Sequence, residues 1–402
     1  MKNRFYILIL LLLCSSVNFA QQNAINIKAT LNTNEDKLMI QQEIVYHNNS
    51  SETLNHIFLH NWANSFKNRK TPLSKRFIED FRKDLYFASK DDIGFSEIKN
   101  IAINYNRIIY KELENRQDII QLFLEKPLKP NQSTAINITY FIKIPNAKFT
   151  SYGVYENGYR LRYWYITPAI YKDGWQLMSN LNLDDLFEQY TSFNIELKVP
   201  KELTLTSSLK QIKKTDTLFN SYKLYGKNER DIIVDIQKKN TFKKFKTDTH
   251  EIQTDILNKE LNASITKGVL DRELKFLTNY LGALPTEKIL INEVMRRKNP
   301  VYGLNQLPNF LRPFSDVFKY DLTLFKVLSK QYLKHALLVN EREDYWLIDG
   351  LQNYLMIEYV NKFYPEVKLL GKVSDTWFLR KFNISKLKFN QKYPFLYEFT
   401  AR

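Results

Sequence analysis

The feature that most constrains this chain is a change of hydrophobic period near residue 247. From Gln21 to about Asn240, apolar residues alternate with polar ones. Ile25-Asn-Ile27-Lys-Ala29, Leu38-Met-Ile40, Ile57-Phe-Leu59, Ala135-Ile-Asn-Ile138 and Phe193-Asn-Ile195-Glu-Leu197-Lys-Val199 all do so. Period two is the signature of a strand with one buried face. Asn48-Asn49-Ser50, Pro130-Asn131, Asn157-Gly158 and Asp173-Gly174 mark turns between the runs. Lys75 to Arg82 reads as a short surface helix within this region. The pattern predicts an antiparallel β-sandwich over 21–240. After residue 247 the spacing becomes helical. Leu270 to Tyr280 is amphipathic and stops at Gly282, Lys288 to Val294 is a strand, and Leu322–Val339 and Leu347–Phe363 are helices. The fold class is therefore α+β: a sandwich followed by a mixed, helix-rich part over 247–402.

At 402 residues, with 44% hydrophobic and 14% aromatic residues, the chain can bury sizeable cores. Disorder and low complexity are excluded. The net charge is +16, and it divides evenly between 1–240 and 241–402, so a nucleic-acid stripe is not expected. A lysine run, Lys238, Lys239, Lys243, Lys244 and Lys246, reads either as a linker or exposed strand pair or as an anion-binding patch.

Residues 1–20 carry Lys2 and Arg4, then an apolar run Phe5–Leu13, then Ser15, Ser16 and Ala20. This is the pattern of a secretory signal peptide cut after Ala20. The expectation is an exported protein, periplasmic, secreted or surface-associated. Cys14 is the only cysteine, so the mature chain has none and no disulfide framework. Lipidation at Cys14 is an alternative to simple release. No later segment is long and apolar enough to span a membrane.

Several segments resemble the M1 family of zinc metallopeptidases, the aminopeptidase N-like gluzincins. Tyr46 to Leu54 with Phe58 to Asn64, and Tyr165 to Trp175, are similar to parts of that family's saddle-shaped β-domain. Tyr280-Leu-Gly-Ala-Leu-Pro285 is similar to the entry into its thermolysin-like domain. Tyr302-Gly303-Leu-Asn305-Gln sits where the family has Gly-x-Met-Glu-Asn, and Tyr345-Trp-Leu-Ile-Asp349-Gly-Leu-Gln-Asn-Tyr where it has Trp-Leu-Asn-Glu-Gly-x-x-x-Tyr. The resemblance implies a zinc site built from His-Glu-x-x-His on one helix and a glutamate on the next. It also implies a partial thermolysin-like domain, since the family's catalytic domain continues further than residue 402.

Carried over by spacing, the two histidines fall on Lys326 and Lys330, the general base on Val327, the third ligand on Asp349 and the exopeptidase glutamate on Asn305. Leu328, Gln331 and Tyr332 agree with the family pattern, but the ligands do not. A protonated lysine offers no lone pair, and valine cannot take a proton from water. His47, His56, His60, His250 and His335 form no replacement set by spacing. The resemblance thus implies a degenerate peptidase site without zinc, in a protein that acts by binding peptide or protein. Two alternatives stand beside it: an active zinc aminopeptidase with its site elsewhere, and a basic module that grips anionic envelope polymer. Lys326 and Lys330 are expected either to replace the metal's charge and pair with Asp349, or to form with Lys334 a solvated basic stripe.

Overall fold

The computed structural model describes residues 22–284, 286–302 and 314–367. The leader, Cys14, Gly303 and Asn305 lie outside the described residues.

The alternating segments form an eight-stranded sheet. Its order is Lys210–Thr215, Phe219–Glu229, Thr191–Pro200, Asn23–Asn32, Lys37–His47, Ser133–Lys143, Phe95–Ile103, Asn106–Arg107. Along Asn23–Asn32, Ile25, Ile27, Ala29 and Leu31 are buried, and Asn26 and Lys28 face the other way. A one-residue slip would reverse this, so burial fixes the register. Two four-stranded sheets cover the apolar face. Ile57, Leu59, Ile120 and Leu122 come from one, and Leu161, Val234 and Ile236 from the other, into a single core with Ile25 and Ile195.

The sequence predicted antiparallel pairing throughout. The central pair departs from it: Asn23–Asn32 runs parallel to Thr191–Pro200, with Ile25 opposite Phe193 and Ile27 opposite Ile195. These strands are far apart in sequence, so their relative direction is set by the path between them.

Five helices are described: α1, Pro72–Glu79; α2, Ala263–Leu281; α3, Glu293–Lys298; α4, Asp316–Ala336; α5, Tyr345–Phe363. Helices α1, α2 and α4 begin at identifiable caps. Thr71 accepts from Ser74 N and precedes Pro72, Asn262 accepts from Ile265 N, and Ser315 accepts from Phe318 N. The Ser315 cap explains why α4 starts before the expected Leu322. It ends at Ala336, short of Val339. Gly282 follows α2 with φ +83°, a conformation that suits glycine. The expected strand Lys288–Val294 stops at Ile291, because the Asn292 side chain accepts from Met295 N and starts α3.

A second core joins α2, α4 and α5 to the strands Lys243–Lys246, Glu251–Thr254 and Lys288–Ile291. Its centre is aromatic. Phe325 on α4 stacks on Tyr359 of α5 at 4.0 Å between centroids, and Phe276 of α2 meets Phe325 edge-on at 5.6 Å. Part of the lysine run lies on an edge strand: Lys243, Lys244 and Lys246 are exposed there and Phe245 is buried.

Candidate functional site

Helix α4 carries Lys326, Val327 and Lys330, and the first turns of α5 carry Asp349. The 3.6-residue period puts positions 326 and 330 one turn apart on one face. The helices pack so that Lys330 Nζ lies 3.2 Å from Asp349 Oδ1. Behind this pair, Gln352 of α5 donates to the Lys326 carbonyl at 2.6 Å and to Ser329 Oγ at 3.1 Å. Asn299 in turn donates to Gln352 at 3.3 Å. These bonds fix α5 on α4 and so fix the distance between residues 330 and 349.

Of the two expectations for the lysines, pairing holds for Lys330 alone. Lys326 turns away and donates to the Pro300 carbonyl at 2.6 Å. It is only 6% exposed, so it does not belong to a solvated stripe. Burial, and then the neighbouring Lys330 charge, push its ammonium down to about 8 against a weaker opposing pull from Asp349. Lys334 is likewise engaged, with Glu341 at 2.7 Å and the Asp184 carbonyl at 3.0 Å.

The face of α4 with Val327, Lys330 and Lys334 borders a cleft of about 260 Å³. Its opposite wall comes from the β part: Tyr152, Arg162, Asp184 and Asp185. A chain of ion pairs crosses the cleft. Arg162, only 7% exposed in its side chain, holds Asp231 at 2.6 Å and Asp184 at 3.0 Å. Lys298 of α3 reaches Asp184 at 2.9 Å, and Arg342 forks onto both oxygens of Asp185 at 2.8 and 2.9 Å. Such forked, charge-assisted bonds are stronger than neutral ones. The β part also closes the C-terminus of α4. Arg230 donates to the Lys334 and Leu337 carbonyls at 2.8 and 2.9 Å, and Tyr190 to the His335 carbonyl at 2.7 Å. The last carbonyls of a helix need such partners. None of Arg162, Asp184, Lys298, Arg342 or Gln352 was marked by a sequence motif; their role depends on which segments meet.

A zinc ion does not fit these residues. The donor set at 326, 327, 330 and 349 is an ammonium, an alkyl group, a second ammonium and one carboxylate already paired. Zinc needs neutral imidazole, thiolate or carboxylate donors, three or four together. Among the described residues no cluster of three or more His, Cys, Asp or Glu could hold a metal. His56 packs against Phe58 and Trp175, and His60 is buried against Trp62 and accepts from Met178 N. Burial pushes His60 down to about 3, so it is neutral.

The M1 zinc metallopeptidase from Deinococcus radiodurans superposes with a TM-score of 0.51 at 12% identity, over 85% of this chain and 70% of that one. The fold here is that of the M1 metallopeptidases. A mutant of the Deinococcus radiodurans enzyme bound to a Tyr-Ser-Ala substrate gives a TM-score of 0.51 at 11% identity, over 85% and 71%. A mutant two-domain M1 zinc metallopeptidase bound to L-arginine gives 0.50 at 12%, over 85% and 71%. At such identity the likeness is one of fold. No protein-family profile and no curated protein sequence matches the chain. No helix among the described residues is long and apolar enough to cross a membrane.

Proposed function

We propose that this chain is an exported, non-catalytic protein of M1 metallopeptidase fold, which binds peptide or protein segments in the cleft beside Lys330 and Asp349. The observation that carries this reading is the ion pair between Lys330 and Asp349. On the alignment of the sequence with the M1 pattern, these are the positions of two zinc ligands. An internal cation stands where a metal's charge would stand, and Val327 offers no base for water. The cleft keeps the means to hold a chain: charged side chains on both walls, and the exposed ring of Tyr345. Binding without hydrolysis is the chemistry that this donor set supports.

The test uses purified residues 21–402. The expected result is far less than one zinc per chain after incubation with zinc, no cleavage of aminoacyl p-nitroanilides, and saturable binding of peptides from a mixed-sequence library. Stoichiometric zinc with turnover would instead identify an active aminopeptidase. A grip on anionic polymer through Lys243, Lys244 and Lys246 is the second reading, supported by their exposure on an edge strand. Binding by that route must weaken steeply with salt. Peptide binding in the cleft that survives the loss of those three lysines separates the two.

A further inference from the structure

Away from the cleft, a cavity of about 600 Å³ opens where the end of the eight-stranded sheet meets the strand Lys288–Ile291. Two of the residues bordering it are buried and ionisable: Glu229, 5% exposed, and Lys288, 6% exposed. Among the described residues neither has a partner of opposite charge within ion-pair distance, and they do not pair with each other. Buried charges are usually paired, because leaving water is costly. Here an acid and a base share one cavity and neither is held in an ion pair; Glu251 acts on Lys288 from beyond ion-pair distance, and the Lys210–Glu287 pair at 2.6 Å borders the same cavity.

The surroundings are built for these groups. The Glu229 carboxyl packs directly over Gly226. A Cβ at 226 would lie 2.7 Å from Glu229 Cγ, 3.0 Å from its Oε1 and 2.8 Å from Leu209 Cδ2, so any larger residue there would push the Glu229 and Leu209 side chains out of place. Asn228 sits in the left-handed region at φ +59°, where the chain turns to bring residue 229 inward. The strand slips register between Thr191 and Phe193 at the same place, a bulge that re-aims side chains. The Thr286 hydroxyl lies 3.2 Å from Glu229 Oε1 and 3.1 Å from the Lys288 carbonyl. A hydroxyl has one hydrogen. It is shared between these two acceptors. Burial raises Glu229 to about 7 against the pull of the Thr286 hydrogen bond, so it can hold or release its proton near neutrality. Its other oxygen receives no hydrogen bond among the described residues. The Lys288 ammonium donates to the Leu209 carbonyl at 2.9 Å and approaches Gln211 Oε1 at 3.4 Å. An ammonium has three donors, so one remains.

We propose that this cavity is a binding site for a small zwitterion of the amino-acid class, whose ammonium pairs with Glu229 and whose carboxylate pairs with Lys288. Such a ligand supplies both missing counter-ions at once. The amides and hydroxyls of Asn26, Ser192, Asn194 and Asn228 on the rim can meet its remaining polar atoms. The site shares no residue with the Lys330–Asp349 cleft and does not depend on the function proposed for it.

The test is a calorimetric or saturation-transfer NMR titration of residues 21–402 with L-alanine, L-alaninamide and N-acetyl-L-alanine. The last two lack the carboxylate and the ammonium respectively. L-Alanine is expected to bind saturably and more tightly than either analogue. Glu229→Gln is isosteric and is expected to weaken L-alanine by about tenfold or more, the loss typical of one hydrogen bond to a charged group. Lys288→Met is expected to weaken L-alanine similarly and to leave L-alaninamide unchanged. Should Lys288→Met fail to fold by near-ultraviolet circular dichroism, Glu229→Gln and the analogues decide alone. No saturable binding, equal affinity for the three probes, or affinity untouched by Glu229→Gln overturns the proposal.

Discussion

Lys330 and Asp349 meet at 3.2 Å across the contact between helices α4 and α5, while Lys326, one turn earlier, bonds the Pro300 carbonyl instead. One cation is matched and half-exposed; the other is buried and has only a neutral partner. Their unequal surroundings give the first two predictions.

The spacing of residues 326, 330 and 349 is compatible with metal capture once donors are present. The quadruple variant Lys326→His, Val327→Glu, Lys330→His, Asp349→Glu should take up close to one zinc per chain, because the helices already hold residues 330 and 349 in contact. Inductively coupled plasma mass spectrometry after dialysis reads the result. A folded variant without zinc would show that the helix geometry has drifted from that of a metal site.

Lys326 titrates at about 8 in the folded chain against an ordinary 10.5. Between these values the unfolded chain binds more protons, so this group makes stability rise as pH climbs through that window and costs stability below it. Lys326→Met removes the charge and keeps the length, although it orphans the Pro300 carbonyl. The variant should be more stable by about 1 kcal/mol near pH 7, with the advantage gone by about pH 10. Urea melts across pH provide the check. Parallel profiles for the two proteins would contradict the burial of a charged Lys326.

In the second core, Asp321 is fully buried and accepts from Arg272, from Tyr359 at 2.8 Å and from Tyr364. Glu273 lies beside it, also fully buried; burial and the Asp321 charge hold it protonated, well above the usual carboxylate range. Arg272→Met leaves these acids without their cation and should cost about 3–5 kcal/mol. Adding Asp321→Asn should recover part of the loss. A double-mutant cycle by chemical denaturation measures it, and additive losses would rule out the coupling.

Arg230 binds two of the last carbonyls of α4 from the β part. Arg230→Met should destabilise the chain by about 2 kcal/mol, since bonds to a charged donor are each worth roughly 1.5–3 kcal/mol and are partly replaced by water. Hydrogen exchange should speed up selectively in the residues after Leu333. A uniform change over the whole chain would mean that Arg230 does not act through the helix end.

The cap chemistry was partly legible and partly not. Gly282 marks the end of α2 in the sequence because few other residues fit its φ of +83°. Asn292 falls within the expected strand, and only its bond to Met295 N shows the turn into α3. The lysines at 326, 330 and 334 have the spacing of a wet helical face. Whether that face meets water depends on what packs over it, and here Pro300, Gln352 and the β part do.

The sequence by itself determined that a region of alternating strands precedes a helix-rich one, which face of the strand Asn23–Asn32 is buried, and that lysine, valine and lysine stand at 326, 327 and 330. Those properties are local: period, residue type and spacing are enough to state them. Tertiary structure alone decided that Asn23–Asn32 pairs parallel with Thr191–Pro200, that Lys330 rather than Lys326 meets Asp349, and that Glu229 packs over Gly226 in a cavity that Lys288 also borders. Each of those facts brings together segments separated along the chain, and a charge's worth depends on how much water and which partners the fold leaves it.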